Sequence, residues 1–311
     1  MGDEKAQHMI ELIKHTKIDF MGKRKYALTF STIMVLLGIL SIVQIMRGTA
    51  NLGIDFAGGT AVQIKFNESV PLQDVRKALT AGGIADFDLQ DLPTENKVLI
   101  RIKKGEQTLG NLSKEIISIL SKKFSEANIV VDSSTEIGPK VGARLRNDAF
   151  WAIIAAIIGI LIYITFRFQF RFSVGATIAT FHDVLAVLSI FYLTGKEINL
   201  ILVSALLMIA GYSLTDTVVV FDRIRENMRT KYKKSALDIV NDSLNEVLSR
   251  TIITSLTTFF AAFALYVVGG EVIHDFAFAI MAGIIIGTYS SIYVASPIVL
   301  LLGEGKHLGK K

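Results

Sequence analysis

Six long apolar stretches, residues 26–46, 149–166, 172–193, 198–221, 251–268 and 276–302, restrict this chain to few folds. They run from 18 to 27 residues between charged connectors, in a chain of 311 residues that is 51% hydrophobic. A helix crosses a bilayer with roughly 20 apolar residues, so each stretch is long enough to span one. Backbone in lipid must satisfy its own hydrogen bonds, which leaves helices or a closed barrel. A barrel would show many alternating segments of about ten residues, a pattern these runs lack. The sequence therefore predicts a polytopic α-helical membrane protein with six transmembrane helices.

The formal charge of +5 follows topology rather than forming one patch. Residues 1–25 hold six Lys/Arg, 167–172 two, 222–250 seven and 303–311 three, whereas connectors 194–199 and 269–275 hold one Lys between them. Because cytoplasmic loops carry the Lys/Arg excess, the arm 1–25, the loop 222–250 and the tail 303–311 are expected in the cytoplasm, with both termini there. The basic residues flank membrane boundaries without an interleaved aromatic platform, which argues against a nucleic-acid partner. The absence of cysteine excludes disulfides and thiolate chemistry, and no metal-ligand spacing, nucleotide loop or hydrolytic triad occurs. No cofactor, metal or covalent chemistry is expected. The first apolar run lacks a small-x-small cleavage site and reads as an uncleaved anchor. Before it, Ile10, Ile13 and Ile18 among basic residues fit either an interfacial helix or a solvated tail.

Residues 47–148 have the composition of a soluble domain, expected on the extracytoplasmic side. Gly58 and Gly59 in GIDFAGG suggest a turn or a close approach of chains. Thr60, Val62, Ile64 and Phe66 then alternate as in a half-buried strand. A helix starts at Pro71 and ends at Gly82-Gly83, short strands follow at Phe87–Leu89 and Val98–Ile102, a helix carries Leu109 to Phe124, and a strand covers 128–131. This βαββαβ order predicts a small ferredoxin-like α+β domain. The glycines and proline of 136–142 are expected to break the chain before it re-enters the membrane.

Polar groups inside the apolar runs carry the functional reading. Asp216 interrupts residues 198–221 at a cost of roughly 2.5–3.5 kcal/mol on insertion scales, so it is either functional or satisfied by a neighbouring helix. Arg250 precedes the fifth run and is either a snorkelling arginine or a partner for Asp216. Asp216 lies six residues, about 9 Å, before Asp222. A fifth helix starting near Leu244 would bring both groups to similar depth, where pairing lowers the cost of each charge. Thr215, Thr217, Thr254 and Ser255 offer hydroxyls near that level. His182 and Asp183 stand roughly 16 Å past Arg171, where a structural hydrogen bond is favoured over a role in proton passage. Asp222 with Arg225 and Arg223 with Asn227 are helical neighbours, and Leu237 to Leu248 suggest an amphipathic helix on the cytoplasmic surface. Gly283, Gly287, Ser290 and Ser291 suit close helix contact.

GIDFAGG after the first run, IGPKVG before the second, HD in the third, GYSLTDTVVVFDRIREN in the fourth and RTIITSLTT in the fifth occur together and in order. In these motifs the chain resembles the SecF members of the SecD/SecF family over nearly its whole length. The resemblance implies half of a resistance-nodulation-division transporter core in the inner membrane. It implies pairing with SecD and partners in the SecYEG channel, YajC, YidC and a translocating preprotein, with protons as the driving ion. It ties Asp216 and Arg250 to proton conduction, and marks Gly53, Asp55, Gly58, Gly59, Gly211, Tyr212, Asp222 and Arg223 as motif positions. Thr215 stands where family members commonly have asparagine. A proton-coupled exporter of lipids or small molecules shares the membrane architecture, and a scaffold subunit without a proton site is the third reading.

Overall fold

A computed structural model of the chain describes residues 16–85, 87–92, 96–103, 112–124, 129–231 and 233–303. In order, α1 (Arg24–Arg47) leads to α2 (Ile54–Ala57), β1 (Gly59–Lys65), α3 (Leu72–Ala81), β2 (Phe87–Leu92), β3 (Lys97–Lys103), α4 (Leu112–Lys123) and β4 (Val130–Ile137). Then come α5 (Pro139–Arg167), α6 (Phe170–Thr194), α7 (Leu200–Thr230) and α8 (Ala236–Val268). The last span comprises α9 (Glu271–Ser290), a π-helical turn at Ser291–Ala295 and α10 (Ser296–Gly303). Six helices among the described residues are long and apolar enough to cross a membrane. Ile10, Ile13 and the tail 304–311 lie outside the described residues.

The six do not share burial equally. Within their apolar windows 72% of α6, 56% of α7 and 67% of the last span are buried, against 22%, 11% and 17% for α1, α5 and α8. The first three therefore form an inner layer and the others an outer one whose faces remain open. Small residues allow the closest crossings: a Cβ on Gly38 of α1 would overlap the backbone of Leu185 on α6.

The small domain folds as a four-stranded antiparallel sheet in the order β2-β3-β1-β4, the ferredoxin-like arrangement its pattern predicts. Val62 and Ile64 of β1 with Val98, Ile100 and Ile102 of β3 point into one core with Val75 and Leu79 of α3 and Ile116 and Leu120 of α4. Strand alternation and helical periodicity thus meet in one apolar layer.

Two boundaries differ from the sequence expectation. The break expected over 136–142 narrows to Gly138: β4 ends at Ile137 as expected, but Pro139 opens α5, because a proline at the first helical position sacrifices an N–H that has no intrahelical acceptor anyway. Gly142 fits there because its missing side chain lets α5 approach the Phe56 carbonyl. Likewise, residues 236–250 form no separate surface helix. Ser235 caps Asp238 N–H and α8 then runs unbroken through Arg250, since Val240, Leu244 and Leu248 find partners in Val220, Phe221 and Ile224 of α7 and in Phe20 and Met21.

The GIDFAGG motif joins the sheet to the bundle. Gly53 N–H donates to Ile198 O (3.0 Å), Ile198 N–H to Asn51 O (2.9 Å), and Leu200 N–H at the start of α7 to Asp55 Oδ2 (3.1 Å). Arg101 of β3 pairs with Glu197 at 3.3 Å. Gly58, at φ 78°, lies against Pro139, where a side chain would collide with the backbone.

Candidate functional site

Asp216 sits on α7 and is 7% exposed. Ser255 Oγ of α8 donates to its Oδ2 at 3.2 Å, and Ser255 is in turn hydrogen-bonded to Thr288 of α9 at 2.7 Å. The carboxylate therefore meets two further helices through hydroxyls. Beside it a cleft of about 320 Å³ between α7 and α8 is lined by Tyr212, Thr215, Asp216, Arg250, Thr254 and Thr257 among others. Thr215, Thr254, Thr257 and Arg250 are exposed, so the cleft opens on the outer surface of the bundle.

Asp216 and Arg250 share this cleft, and the guanidinium charge acts on the carboxylate. Among the described residues, however, no ion pair closes between them. The separation has a physical reason: Asp216 is held toward Ser255 inside the bundle, whereas Arg250 extends outward along α8. A cleft of this size has room for several waters between the two charges. The other expected hydroxyls divide. Thr254 Oγ1 donates to Arg250 O (3.0 Å) and Thr215 Oγ1 to Tyr212 O (2.7 Å), both on the cleft. Thr217 is buried, donates to Ser213 O (3.2 Å) and faces away from it. Tyr212 spans the cleft with its hydroxyl on Thr254 O (3.3 Å), and open space surrounds Gly211.

A second carboxylate, Asp183 on α6, is wholly buried in the inner layer. It accepts from Ser213 of α7, from Ser290 of α9 (2.8 Å), and lies 2.9 Å from His182 Nδ1. His182 Nε2 is buried without a partner among the described residues, and its ring lies 6.2 Å from that of Tyr289. Tyr289 donates to Ala27 O of α1 at 2.6 Å. Four helices thus meet around one polar centre. Ser213, Ser290, Thr288 and Tyr289 escaped the sequence reading as site residues. The signal was present for Ser213, which precedes Asp216 by one helical turn in GYSLTD.

At the far end of α7, Asn227 Nδ2 donates to Ser243 Oγ (2.8 Å) and Glu246 Oε2 (2.8 Å) of α8. Glu246 also takes Arg223 (2.5 Å) and Lys231 (2.5 Å). The neighbours expected from spacing are replaced: Arg223 reaches Glu226 and Glu246 rather than Asn227, and Arg225 lies over the Phe168 ring at 5.7 Å rather than on Asp222. For Arg223 two carboxylates, Glu226 one turn on and Glu246 on the facing helix, outcompete the Asn227 amide, and for Arg225 an aromatic ring takes the place of Asp222.

Comparison with known proteins decides the family. The profile described as "Protein export membrane protein SecD/SecF, C-terminal" matches residues 116–305, and the "SecD/SecF GG Motif" matches residues 50–70. The chain belongs to the SecD/SecF family. Relatives called protein translocase subunit SecF include one from Thermodesulfovibrio yellowstonii, 57% identical over 95% of this chain and 98% of its own. Another from Vibrio alginolyticus is 39% identical over 96% and 95%. The crystal structure of SecDF from Thermus, a translocon-associated membrane protein, superimposes with a TM-score of 0.77 at 34% identity over 93% of this chain and 39% of that longer one. The SecD/SecF GG motif is the segment that joins the sheet to α7 here.

Proposed function

We propose that this chain is the SecF half of a SecD–SecF complex that uses the proton motive force to assist preprotein movement through the Sec channel, with Asp216 as the proton-binding group. One observation carries the reading: a carboxylate 7% exposed, in an apolar helix, shares a cleft roomy enough for several waters with an arginine without closing an ion pair. A permanently charged structural pair would favour direct contact. A group that must gain and lose a proton needs a route for water and a counter-charge whose hold on it can change.

Protonation of Asp216 removes its attraction for Arg250 and weakens its acceptance from Ser255, so the fit of α7 against α8 depends on the proton. Each charge moved across the field supplies about 2.3 kcal/mol per 100 mV, enough to bias two helix arrangements. The exposed Arg250 guanidinium on the cleft is costly against lipid, which favours a helix of SecD as its cover. The excess of Lys/Arg on the ends opposite the sheet supports a topology with those ends in the cytoplasm and the sheet outside, in a cell inner membrane. SecYEG is the channel this assignment requires, with YajC and YidC as companions suggested by family likeness. Proton-driven displacement requires no covalent step.

Measuring preprotein export into inverted membrane vesicles, with and without a proton gradient, tests the assignment. Asp216→Asn and Arg250→Met should assemble with SecD yet lose the gradient-dependent part of export. Full gradient-dependent export by both variants would reduce the subunit to a scaffold.

A further inference from the structure

We infer that the sheet-side half of the bundle carries a binding site for one acyl chain of an anionic phospholipid, independent of the Asp216 cleft. A groove of about 530 Å³ is bounded by the end of α1 (Ile45), the start of α5 (Trp151, Ile154), α6 (Leu188) and the start of α7 (Leu202, Leu206). Its walls are almost entirely apolar. Polar groups gather at one end, where Arg146 and Asn147 line the mouth one turn before the apolar run of α5 begins. Apolar walls with a few polar groups at the mouth are the usual composition of a small-ligand site, and the volume falls within the usual range of about 300–1,000 Å³.

Length and charge select the occupant. From Arg146 to Ile154 the groove follows α5 for about 12 Å, and it runs beside the first turns of α7 at Leu202 and Leu206. That is close to the roughly 15 Å of hydrocarbon in one leaflet of a 30 Å bilayer core. It therefore runs from the boundary nearly to the midplane, the path of a single lipid chain. Outside the groove Arg144 is paired with Asp148 (3.7 Å), while no acidic side chain among the described residues pairs with Arg146 at the mouth. A guanidinium at headgroup level with a free fork suits a phosphate or other lipid anion, and the exposed Trp151 sits where aromatic residues favour the interface.

The test uses the full chain purified with its SecD partner in detergent, with phosphatidylglycerol and phosphatidylcholine as competing probes in native mass spectrometry. The intact protein should retain phosphatidylglycerol preferentially. Arg146→Glu should lower that retention at least tenfold, Ala149→Trp should block it by filling the groove, and Arg144→Glu outside the groove should leave it unchanged. A phosphatidylglycerol photoreactive along its acyl chain should label the groove segments of α5 and α7. Because Ala149→Trp is a core change, the labelling pattern decides independently of its folding. Equal retention of both lipids with no effect of Arg146→Glu, or labelling scattered over α8, would overturn the site. So would a disulfide between Ile154→Cys and a SecD helix, which would identify a protein occupant. Export with an intact gradient response in Arg146→Glu would leave the Asp216 assignment standing whatever the lipid result.

Discussion

Replacing Asp183 separates a polar centre that holds the inner helices together from one that is incidental to their packing. The carboxylate accepts from Ser213 and Ser290 and meets His182 Nδ1, so Asp183→Leu removes three partners at once. They are not equally stranded. Ser290 already shares its hydroxyl with Gly287 O at 3.1 Å and retains that acceptor, whereas His182, with Nε2 already unpartnered, is left with neither ring nitrogen bonded. Two orphaned groups at about 1–3 kcal/mol each bound the penalty. Interhelical hydrogen bonds in membranes average nearer 0.6 kcal/mol, because the unfolded chain also finds partners there. Asp183→Leu should therefore cost about 2–4 kcal/mol. Asp183→Asn, which keeps an acceptor for both serines, should cost about 1 kcal/mol, and Ser290→Ala about 0.6–1.7 kcal/mol. Reversible unfolding of the full chain in mixed micelles by titration with dodecyl sulfate, followed by circular dichroism, measures the series. If the leucine variant unfolds at the same midpoint as the asparagine variant, hydrogen bonding at Asp183 does not hold α6, α7 and α9 together and the reasoning fails.

Two further outcomes follow from the same structure. Gly38→Ala should destabilise by about 1–3 kcal/mol because its methyl meets the Leu185 backbone, whereas Gly211→Ala, with nothing within 4 Å, should be neutral or stabilising by up to about 1 kcal/mol; the same titration compares them. Burial pushes the Glu246 carboxylate up, but hydrogen bonds from Lys231, Asn227 and Arg223 outweigh it and hold the group at about 2, below its ordinary 4.5. A folded value below the unfolded one means stability that is present above about pH 4.5 and lost as pH falls toward 2. Solvent screening of this half-exposed group reduces the loss to about 1–2 kcal/mol. Glu246→Gln should remove that acid sensitivity in melts at pH 3 and pH 6, and an unchanged pH slope would refute the assignment.

Period and length made most of the architecture legible. The six runs appear as six spans, and the alternation of Val62 and Ile64 with that of Val98, Ile100 and Ile102 forecast the sheet because one face of it is buried. Helix boundaries were less legible where a residue has two uses. Pro139 breaks a helix in its interior and begins one at its first turn, and only the strand ending at Ile137 decides between them. At the site, Asp216 was visible because an acid in an apolar run is costly. Its surroundings were not: whether Ser255 or Arg250 takes the carboxylate depends on the rotation of α8 about its axis, which sequence spacing leaves open. Ser213 and Ser290 were invisible for a related reason, since a small residue at a crossing serves close packing and hydrogen bonding equally well.

Helix α7 gathers these contacts along one rigid rod. Asp55 of the GG motif accepts the Leu200 N–H at its start, Ser213 reaches Asp183, Asp216 faces the cleft one turn later, and Asn227 locks its far end to α8. Its end contacts tie it to the sheet domain and to α8, while its middle carries Asp216 at the cleft. On the proposed mechanism, an altered fit of α7 against α8 at Asp216 is carried along the N-terminal half of the helix, from Asp216 to Leu200, to the joint at Asp55. There the Arg101–Glu197 pair and the bonds of Gly53 and Ile198 pass it to the sheet. A flexible linker at that joint would dissipate the displacement. The two-way clasp between GIDFAGG and the start of α7 is what such a lever from the helix bundle to the sheet domain requires.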